Sequence, residues 1–327
     1  MFLSIIIPVY NGTKTIKRCL DSIWSQGLPE NDYEVICVDD CSSDGSYEYI
    51  QKLSQLYPQL KLLKNSFNIR AGGARNHGVR CSSGEYILFI DSDDYFHPQS
   101  LNKAFWYQKK NLLDILMCDF ARHKENAPNN RLVHQFPSTE VMTGRQFLIT
   151  NSLPYAPWKY IFRRSLMIEN NVYFTECVSC EDVDWSHKIA LFANKMQYKP
   201  ILLTHYILSE TSQTGSEYKN PETVFFRLMA GKRVAELITL CHTNEERTRI
   251  KAVAQETLFY GVIFLCALMT NPKDKSRILS ECIDSKIKWR KELLLVKKYP
   301  LIYGIFSTLI SPLFRLVLFV KRSSLGR

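Results

Sequence analysis

Strand-like and helix-like segments alternate along the first ninety residues of the chain. The apolar run Ser4–Val9 is followed by apolar residues at helical spacing, which end near Gly27, a residue typical of helix C-termini. Three further β-favouring runs follow, with polar or helical stretches between them: Tyr33–Val38, Leu60–Leu63 and Glu85–Ile90. Because strands that alternate with helices build mostly parallel sheets, the pattern predicts an α/β fold with a central sheet flanked by helices.

Carboxylates cluster where two of these runs end. The acids are Asp39 and Asp40 after the second run, and Asp91, Asp93 and Asp94 after the fourth. Folding does not require such clusters, because like charges repel and each carboxylate resists losing its water. A cation would resolve the conflict, and Mg²⁺ is usually held by one or two carboxylates plus substrate phosphates. Since ligands bind beyond the carboxyl ends of parallel strands, the sequence predicts a metal-dependent site for a phosphorylated ligand at this edge.

Composition and charge narrow the class of protein. The 327 residues are 46% hydrophobic and 23% charged, as expected of a globular protein with two domains or one large domain and an appendage. Residues 271–327 contain thirteen Lys and Arg but only four Asp and Glu, which is most of the net charge of +10. The remaining body is nearly neutral, which disfavours nucleic-acid binding. The first apolar run lacks a basic leader, so we expect a cytosolic protein with reduced cysteines.

Several short motifs follow one another in a fixed order. They are Ile6–Asn11, Val38–Gly45, Gly72–Gly78, Asp91–Asp94, Trp158-Lys159 and Cys180–Val183. This order, over about residues 1–215, resembles family 2 glycosyltransferases with the GT-A fold. The resemblance implies a Rossmann-like, mostly parallel sheet with a helical C-terminal extension. It also implies an inverting transfer of a sugar from a nucleotide donor, with a UDP-sugar expected, to a hydroxyl of a glycan.

The resemblance assigns donor-binding roles to five residues. Pro8 and Tyr10, on the loop after the first strand, would flank the nucleotide base. Asp39 would accept a hydrogen bond from a ring N–H of the base, and Arg75 would lie near the base or the diphosphate. Asp91 would contact the ribose. These assignments agree with the predicted edge of the sheet, although Asp39 and Asp40 could instead cap the next helix.

Metal binding and catalysis fall to a second set of acids. The resemblance assigns Mg²⁺ or Mn²⁺ to Asp93, and proton abstraction to Asp182 beside Glu181. A departing diphosphate gains negative charge that a metal offsets, and the attacking hydroxyl needs a base. One base without a protein nucleophile implies a single displacement with inversion. Glu181 and Asp182 could alternatively form the N-terminal cap of a helix.

Some polar residues have a structural alternative to a functional role. His205 could contact a metal or phosphate, but a satisfied core or surface histidine is the favoured interpretation. Gly72 and Gly73 do not have P-loop spacing and are interpreted as a loop passing close to the donor. Asp94 has no assigned role beyond shaping its turn. Residues 122–137 are polar and predict a surface loop.

The resemblance and the composition divide the chain into three parts. Residues 1–120 would bind the nucleotide sugar, residues 121–215 would bind the acceptor and carry the base, and residues 216–327 would form the helical extension. In that extension Leu301–Val320 is largely apolar, with basic residues on both sides. This pattern favours a segment in the membrane interface over one that spans the bilayer or packs on the body. We therefore expect peripheral association with the inner face of the cytoplasmic membrane and a lipid-linked or growing glycan as acceptor.

Two other functions fit part of this pattern. A sugar-nucleotide pyrophosphorylase shares the carboxylate and metal chemistry, but it needs a glycine-rich, basic N-terminal loop that Pro8–Gly12 does not provide. A nucleotide-sugar-binding or membrane scaffold without catalysis would not need both Asp93 and Asp182.

Overall fold

The computed structural model describes residues 1–124, 131–133, 140–208 and 221–268. The chain divides into two compact units, the first of which comprises Met1–Glu210 and Leu240–Glu246. All of the predicted site residues belong to this first unit. The functional boundaries at residues 120 and 215 stay predictions.

Four parallel strands form one half of the central sheet, in the order β3-β2-β1-β4. They are β1 (Leu3–Val9), β2 (Tyr33–Asp39), β3 (Leu60–Lys64) and β4 (Tyr86–Phe89). The connecting helices are α1 (Ile16–Trp24), α2 (Ser46–Ser54) and α3 (Arg70–Cys81). Strands β1, β2 and β4 are buried along their whole length, which explains why their sequences are continuously apolar instead of alternating. The predicted α/β fold is confirmed.

Antiparallel strands extend the sheet beyond β4. Within the described residues the order continues β4-β8-β6-β9-β5, and β7 pairs with β6. The strands are β5 (Tyr95–Phe96), β6 (Ile115–Lys124), β7 (Arg131–Val133), β8 (Tyr160–Arg163) and β9 (Met196–Leu208). Strand β8 is antiparallel to both of its neighbours, whereas β9 is parallel to β6, so the complete sheet is mixed.

The pairing of β6 with β7 corrects the expected surface loop at residues 122–137. Arg122 pairs with Arg131, so residues 122–124 and 131–133 of this polar stretch are strands. Polar composition alone was a poor guide because a strand can satisfy its backbone in a sheet while its side chains remain polar.

The other helices of the first unit follow the later strands. They are α4 (Ser100–Asn111), α5 (Gly144–Thr150), α6 (Arg164–Glu169) and α7 (Glu181–Phe192), with a 3₁₀ turn at Pro157–Lys159. Helix α5 begins with a capping box, in which the Thr143 hydroxyl accepts from the Gln146 N–H at 3.1 Å. Helix α7 is the one that carries Glu181 and Asp182 in its first turn.

The described residues after β9 are mostly helical, as the sequence predicts. Its helices are α8 (Pro221–Glu236), a 3₁₀ turn (Leu237–Leu240) and α9 (Asn244–Leu268). The N-terminus of α9 is capped, because the Thr243 hydroxyl accepts from the Glu246 N–H at 3.2 Å. The Glu246 carboxylate accepts from the His242 N–H at 2.7 Å, one residue earlier than in a standard capping box.

Within the described ranges, no helix combines the length and the apolar character needed to cross a bilayer. The predicted interfacial segment Leu301–Val320 lies outside the described residues.

Candidate functional site

Two loops at the carboxyl edge of the parallel half are tied together by hydrogen bonds. The N–H of Asn11, after β1, donates to Ser42 Oγ at 3.0 Å. The N–H of Ser43, after β2, donates to Asn11 Oδ1 at 2.9 Å. Asn11 adopts a left-handed φ of +52°, which asparagine tolerates better than most residues. This clamp gives the predicted donor-binding edge a fixed shape.

Tyr10 and Pro8 occupy different environments at this edge. Tyr10 begins the loop after β1 and is 56% exposed. Pro8, which the sequence analysis expected on the same loop, lies inside β1 and pairs with Val38 in register. The β1–β4 ladder ends at Ile6, whose carbonyl accepts from Ile90, so the missing N–H of Pro8 removes no ladder bond. The expected position of Pro8 on the loop was therefore wrong, because a proline can lie within β1 where no hydrogen bond of the ladder needs its N–H.

Asp39 ends β2 and is fully buried. Its Oδ2 accepts from the Ser42 N–H at 3.2 Å. Its Oδ1 is buried without a hydrogen-bond partner in the part of the chain that the structure describes. An unsatisfied buried carboxylate oxygen is costly, so a ligand N–H would find a prepared acceptor here. This is the chemistry that the predicted base contact requires.

The next residue, Asp40, holds a neighbouring segment in place. Its Oδ1 accepts from Asn65 Nδ2 at 2.8 Å and from the Ile69 N–H at 2.9 Å. Its carbonyl oxygen accepts from Asn68 Nδ2 at 3.2 Å. Asp40 therefore fixes residues 65–69, and α2 begins instead after Gly45, without a side-chain cap.

Arg75 connects the end of β4 to the start of α7. Its Nη2 donates to Asp91 Oδ1 at 2.6 Å, and its Nη1 donates to Glu181 Oε1 at 2.9 Å. The side chain is 5% exposed, and burial alone opposes its charged form. The charges of Asp91 and Glu181, with a smaller contribution from Asp182, nevertheless raise the pKa of Arg75 above its usual value. Both of its Nη groups are thus engaged by acids that the sequence places 90 residues apart.

The N-terminus of α7 approaches α3 closely at Gly72. A Cβ on Gly72 would lie 2.7 Å from Glu181 Cγ and 3.0 Å from Phe174 Cβ. Gly72 and Gly73 both lie within α3, so the interpretation of these glycines as a loop beside the donor was wrong. Gly72 instead makes room for Glu181 to reach Arg75.

Asp182 lies in the first turn of α7 and is partly exposed. The positive end of the helix dipole favours a carboxylate at this position. Burial, followed by the charge of Asp182, raises the pKa of Tyr160 on β8. Asp182 is therefore close enough to act electrostatically on both Arg75 and Tyr160, and it retains exposure to solvent.

The loop between β4 and β5 gives its three acids different environments. Asp93 is partly exposed, and its carbonyl oxygen accepts from Arg18 Nη2 at 2.5 Å. Asp94 is fully buried, its N–H donates to the Asp91 carbonyl at 3.0 Å, and its Oδ1 accepts from the Ile207 N–H at 2.8 Å. Burial, and then the charges of Asp93 and Asp91, raise the pKa of Asp94 well above its usual range. Asp94 thus shapes the turn and joins it to β9.

The donor set at this loop fits a metal held jointly with a ligand. In the described ranges no group of three or more His, Cys, Asp or Glu side chains could enclose a metal. Asp91 and Asp93 offer partly exposed carboxylates, and one or two carboxylates plus substrate phosphates are sufficient for Mg²⁺. The residues present therefore fit a divalent cation that arrives with a diphosphate.

His205 is a satisfied core histidine. Its Nε2 pairs with His97 Nδ1 at 2.9 Å, and its Nδ1 pairs with His123 Nε2 at 2.6 Å. The ring of Tyr95 stacks on it with centroids 4.6 Å apart. Burial, then the neighbouring His123 and His97, lower the pKa of His205 to about 4. Because both ring nitrogens are occupied, His205 is not arranged to bind a metal.

Lys159 is a buried cation that the sequence analysis singled out only through its motif. It is 1% exposed, and its Nζ lies 5.1 Å from the centre of the Phe120 ring. Burial lowers the pKa of Lys159 to about 8, although the charge of Asp119 opposes this shift. Tyr198 donates to Asp119 at 2.8 Å, so this acid and lysine belong to one buried polar cluster beside β8.

The mixed central sheet, with helices on its parallel half, defines an α/β protein of the GT-A type. The model of the family described as glycosyl transferase family 2 matches residues 4–171. The chain belongs to this family.

Relatives and solved structures agree with that family. A poly(ribitol-phosphate) beta-glucosyltransferase of Bacillus spizizenii is 31% identical over 78% of this chain and 39% of its own length. The chain thus spans about two fifths of that relative. The crystal structure of Staphylococcus aureus TarS 1-349 with UDP-GlcNAc matches 94% of this chain and 89% of its own, with a TM-score of 0.65 and 22% identity.

A more distant structural match is the mannosyltransferase PcManGT from Pyrobaculum calidifontis, in complex with GDP-Man and Mn²⁺. It covers 94% of this chain and 86% of its own, with a TM-score of 0.53 and 16% identity. At this identity the likeness shows the fold alone.

Proposed function

We propose that this protein transfers a sugar from a nucleotide donor to a hydroxyl of a growing or lipid-linked glycan. The observation that carries the proposal is the pairing of Arg75 with both Asp91 and Glu181. It brings the acids expected to bind the donor next to the helix that carries the expected base. A scaffold that only binds a nucleotide would need the donor-binding acids but not a catalytic base.

Donor binding is assigned to the loops after β1 and β2 and to Asp91. The unpartnered Oδ1 of Asp39 would accept from a ring N–H of the base, and Tyr10 would cover its face. Pro8, within β1, would line the floor beneath the base. A UDP-sugar is the proposed donor, which the UDP-GlcNAc complex of S. aureus TarS supports.

Asp93 would hold Mg²⁺ or Mn²⁺ on the diphosphate. Such a cation, when bound, offsets the negative charge that develops on the leaving group. The Mn²⁺ in the complex of PcManGT supports this choice of cofactor. Arg18 donates to the backbone carbonyl of Asp93, which holds the turn that carries this residue.

Asp182 is the proposed base. It would take the proton of the acceptor hydroxyl as that oxygen attacks the anomeric carbon and the bond to the diphosphate breaks. This single displacement inverts the configuration of the sugar. The Glu181 carboxylate is engaged by Arg75, so we assign Glu181 a role in placing the base next to it.

The acceptor is proposed to be a hydroxyl of a surface polymer or its lipid-linked precursor. The poly(ribitol-phosphate) relative supports a polymer acceptor. The basic residues 271–327 would bring the protein to anionic lipid on the inner face of the cytoplasmic membrane, where such precursors would be used.

Transfer and donor hydrolysis with Mn²⁺ test this function. Removal of a general base typically costs about 10²–10⁴-fold in rate, so Asp182→Asn should lose turnover by that factor while still binding UDP. Asp93→Ala should weaken the dependence of turnover on Mn²⁺. Glu169→Gln, at the exposed end of α6, is the matched control and should behave as the wild type.

Three results would change the assignment. Near-normal transfer by Asp182→Asn would show that another group is the base. A wild-type chain that binds nucleotide sugar without turning it over would favour the scaffold function, and synthesis of nucleotide sugar from a nucleoside triphosphate and a sugar phosphate would favour a pyrophosphorylase.

A further inference from the structure

Arg75 has a geometry that suits coupling between the two halves of the site. We infer that Arg75 is a positioning residue that links donor binding at Asp91 to the placement of Glu181 and Asp182 at the start of α7. This inference rests on the proposed function and adds a role for a side chain that the sequence places near the base or the diphosphate.

Two carboxylates and two aromatic rings surround the guanidinium. One Nη lies 2.6 Å from Asp91 and the other 2.9 Å from Glu181. The rings of Phe89 and Phe174 have their centres 5.9 and 5.5 Å from its Cζ. A guanidinium held this way cannot move to the diphosphate without leaving two buried or half-buried carboxylates unpaired, which is strongly unfavourable.

The segment before α7 is fixed to α3 by the residue next to Arg75. Asn76 Nδ2 donates to the Phe174 carbonyl at 2.9 Å, and the Phe174 N–H donates to Asn76 Oδ1 at 3.0 Å. The ring of Phe174 stacks on Trp185 of α7, with centroids 4.5 Å apart. Helix α3 therefore holds both the chain leading into α7 and, through Arg75, its first residue.

Because Asp91 and Glu181 share the cation of Arg75, the strength of each ion pair depends on the other. Ribose hydroxyls that donate to Asp91 compete with Arg75 for its negative charge. The guanidinium then interacts more strongly with Glu181, and the first turn of α7, with Asp182, is held more firmly. Donor binding would in this way complete the placement of the base.

The fork of the guanidinium is essential for this role. Arginine can donate to two carboxylates at once from a rigid plane, whereas lysine is a point charge on a flexible stem. An Arg75→Lys chain keeps the positive charge in the cluster but should pair with one acid at a time. The Arg75→Lys chain therefore separates the coupling between Asp91 and Glu181 from the effect of the positive charge alone.

A double-mutant cycle on the donor KM tests the inference, with UDP-sugar, Mn²⁺ and the full chain. In the wild-type background, Glu181→Gln leaves Arg75 to Asp91 alone, and we expect the donor KM to rise about tenfold, within the usual range for residues in one network. In the Arg75→Lys background the same change should alter the donor KM by less than about twofold. A smaller kcat in both Arg75→Lys chains should accompany this loss of coupling.

Glu176→Gln is the matched control. Glu176 accepts from Asn76 at 3.0 Å and from Arg80 at 3.1 Å, so it lies at the same α3 interface without contacting Arg75. It should leave the donor KM unchanged in both backgrounds. Melting temperatures verify that each chain is folded, and Arg75→Met provides a second background if Arg75→Lys does not fold.

Equal effects of Glu181→Gln on the donor KM in the two backgrounds would overturn the coupling while leaving the proposed transfer intact. A wild-type chain without transfer would overturn both the coupling and the proposed function.

Discussion

Asp39→Asn is the perturbation whose effect follows most directly from the structure. The side chain keeps its size, but one acceptor becomes an NH₂ donor. To retain the 3.2 Å bond from the Ser42 N–H, the amide oxygen must take the place of Oδ2. The NH₂ group then occupies the position of the unpartnered Oδ1, where it faces the N–H of the base. The variant thus replaces an attraction with a repulsion.

The magnitude follows from the charge of the lost acceptor. A hydrogen bond to an ionised group contributes about 1.5–3 kcal/mol, so the affinity for UDP should fall roughly 10- to 150-fold. The free energy of unfolding should change by less than about 1 kcal/mol, because Oδ1 has no partner within the described chain.

Titration calorimetry of UDP with Mn²⁺ measures the affinity, and denaturant unfolding measures the stability. Asp40→Ala is the informative comparison, since it removes the Oδ1 of Asp40, which accepts two hydrogen bonds within the chain. It should lower the free energy of unfolding by about 1–3 kcal/mol. UDP affinity of Asp39→Asn within twofold of the wild type would refute the assignment of Oδ1 to the base.

Three further predictions concern stability, the approach of α7 and the tail. Hydrogen bonds from Lys61, Ser4 and Ser83 outweigh burial and lower the pKa of Glu34 to about 2, from an ordinary 4.5. The lowered pKa adds up to about 3 kcal/mol to the free energy of unfolding above pH 4.5, and this contribution is lost as the pH falls toward 2. When the free energy of unfolding is followed with falling pH, Glu34→Gln should lack this loss. The exposed control Glu48→Gln should keep it. Gly72→Ala should lower the free energy of unfolding, measured with denaturant, by about 1–3 kcal/mol, because the new Cβ would lie 2.7 Å from Glu181. The gain in stability that is typical of Gly→Ala within a helix would contradict this clash. Deleting residues 299–327 should move the protein from membrane to supernatant on fractionation, and unchanged association would exclude the tail as the anchor.

The parallel half of the sheet could be predicted from sequence because its signals are local. Strand β1 was expected at Ser4–Val9 and is found at Leu3–Val9, and helix α1 follows at the expected spacing. A strand buried on both faces is continuously apolar, and an acid directly after it must lie at the edge of the sheet. Asp39 and Asp91 were placed correctly by this argument alone.

Antiparallel additions were harder to foresee. Strand β8 pairs with β4 across seventy residues of intervening chain, and β6 continues into a polar stretch that resembles a loop in sequence. The periodicity of a strand does not show which distant strand it will pair with. The choice between loop and edge strand depends on a partner strand far away in sequence.

The amino-acid sequence by itself determined where the strands end, which acids follow them and, through the order of its motifs, the family. Only the tertiary structure decided how those acids share their partners. In the sequence Arg75 is one of three arginines between residues 70 and 80, and only folding brings Asp91 and Glu181 to its two Nη groups. From the sequence, Gly72 is only a flexible residue. In the fold, its lack of a side chain leaves the space through which Glu181 reaches Arg75. Local sequence encodes secondary structure and chemical type, whereas ion pairs and close approaches depend on distances that exist only after distant segments pack.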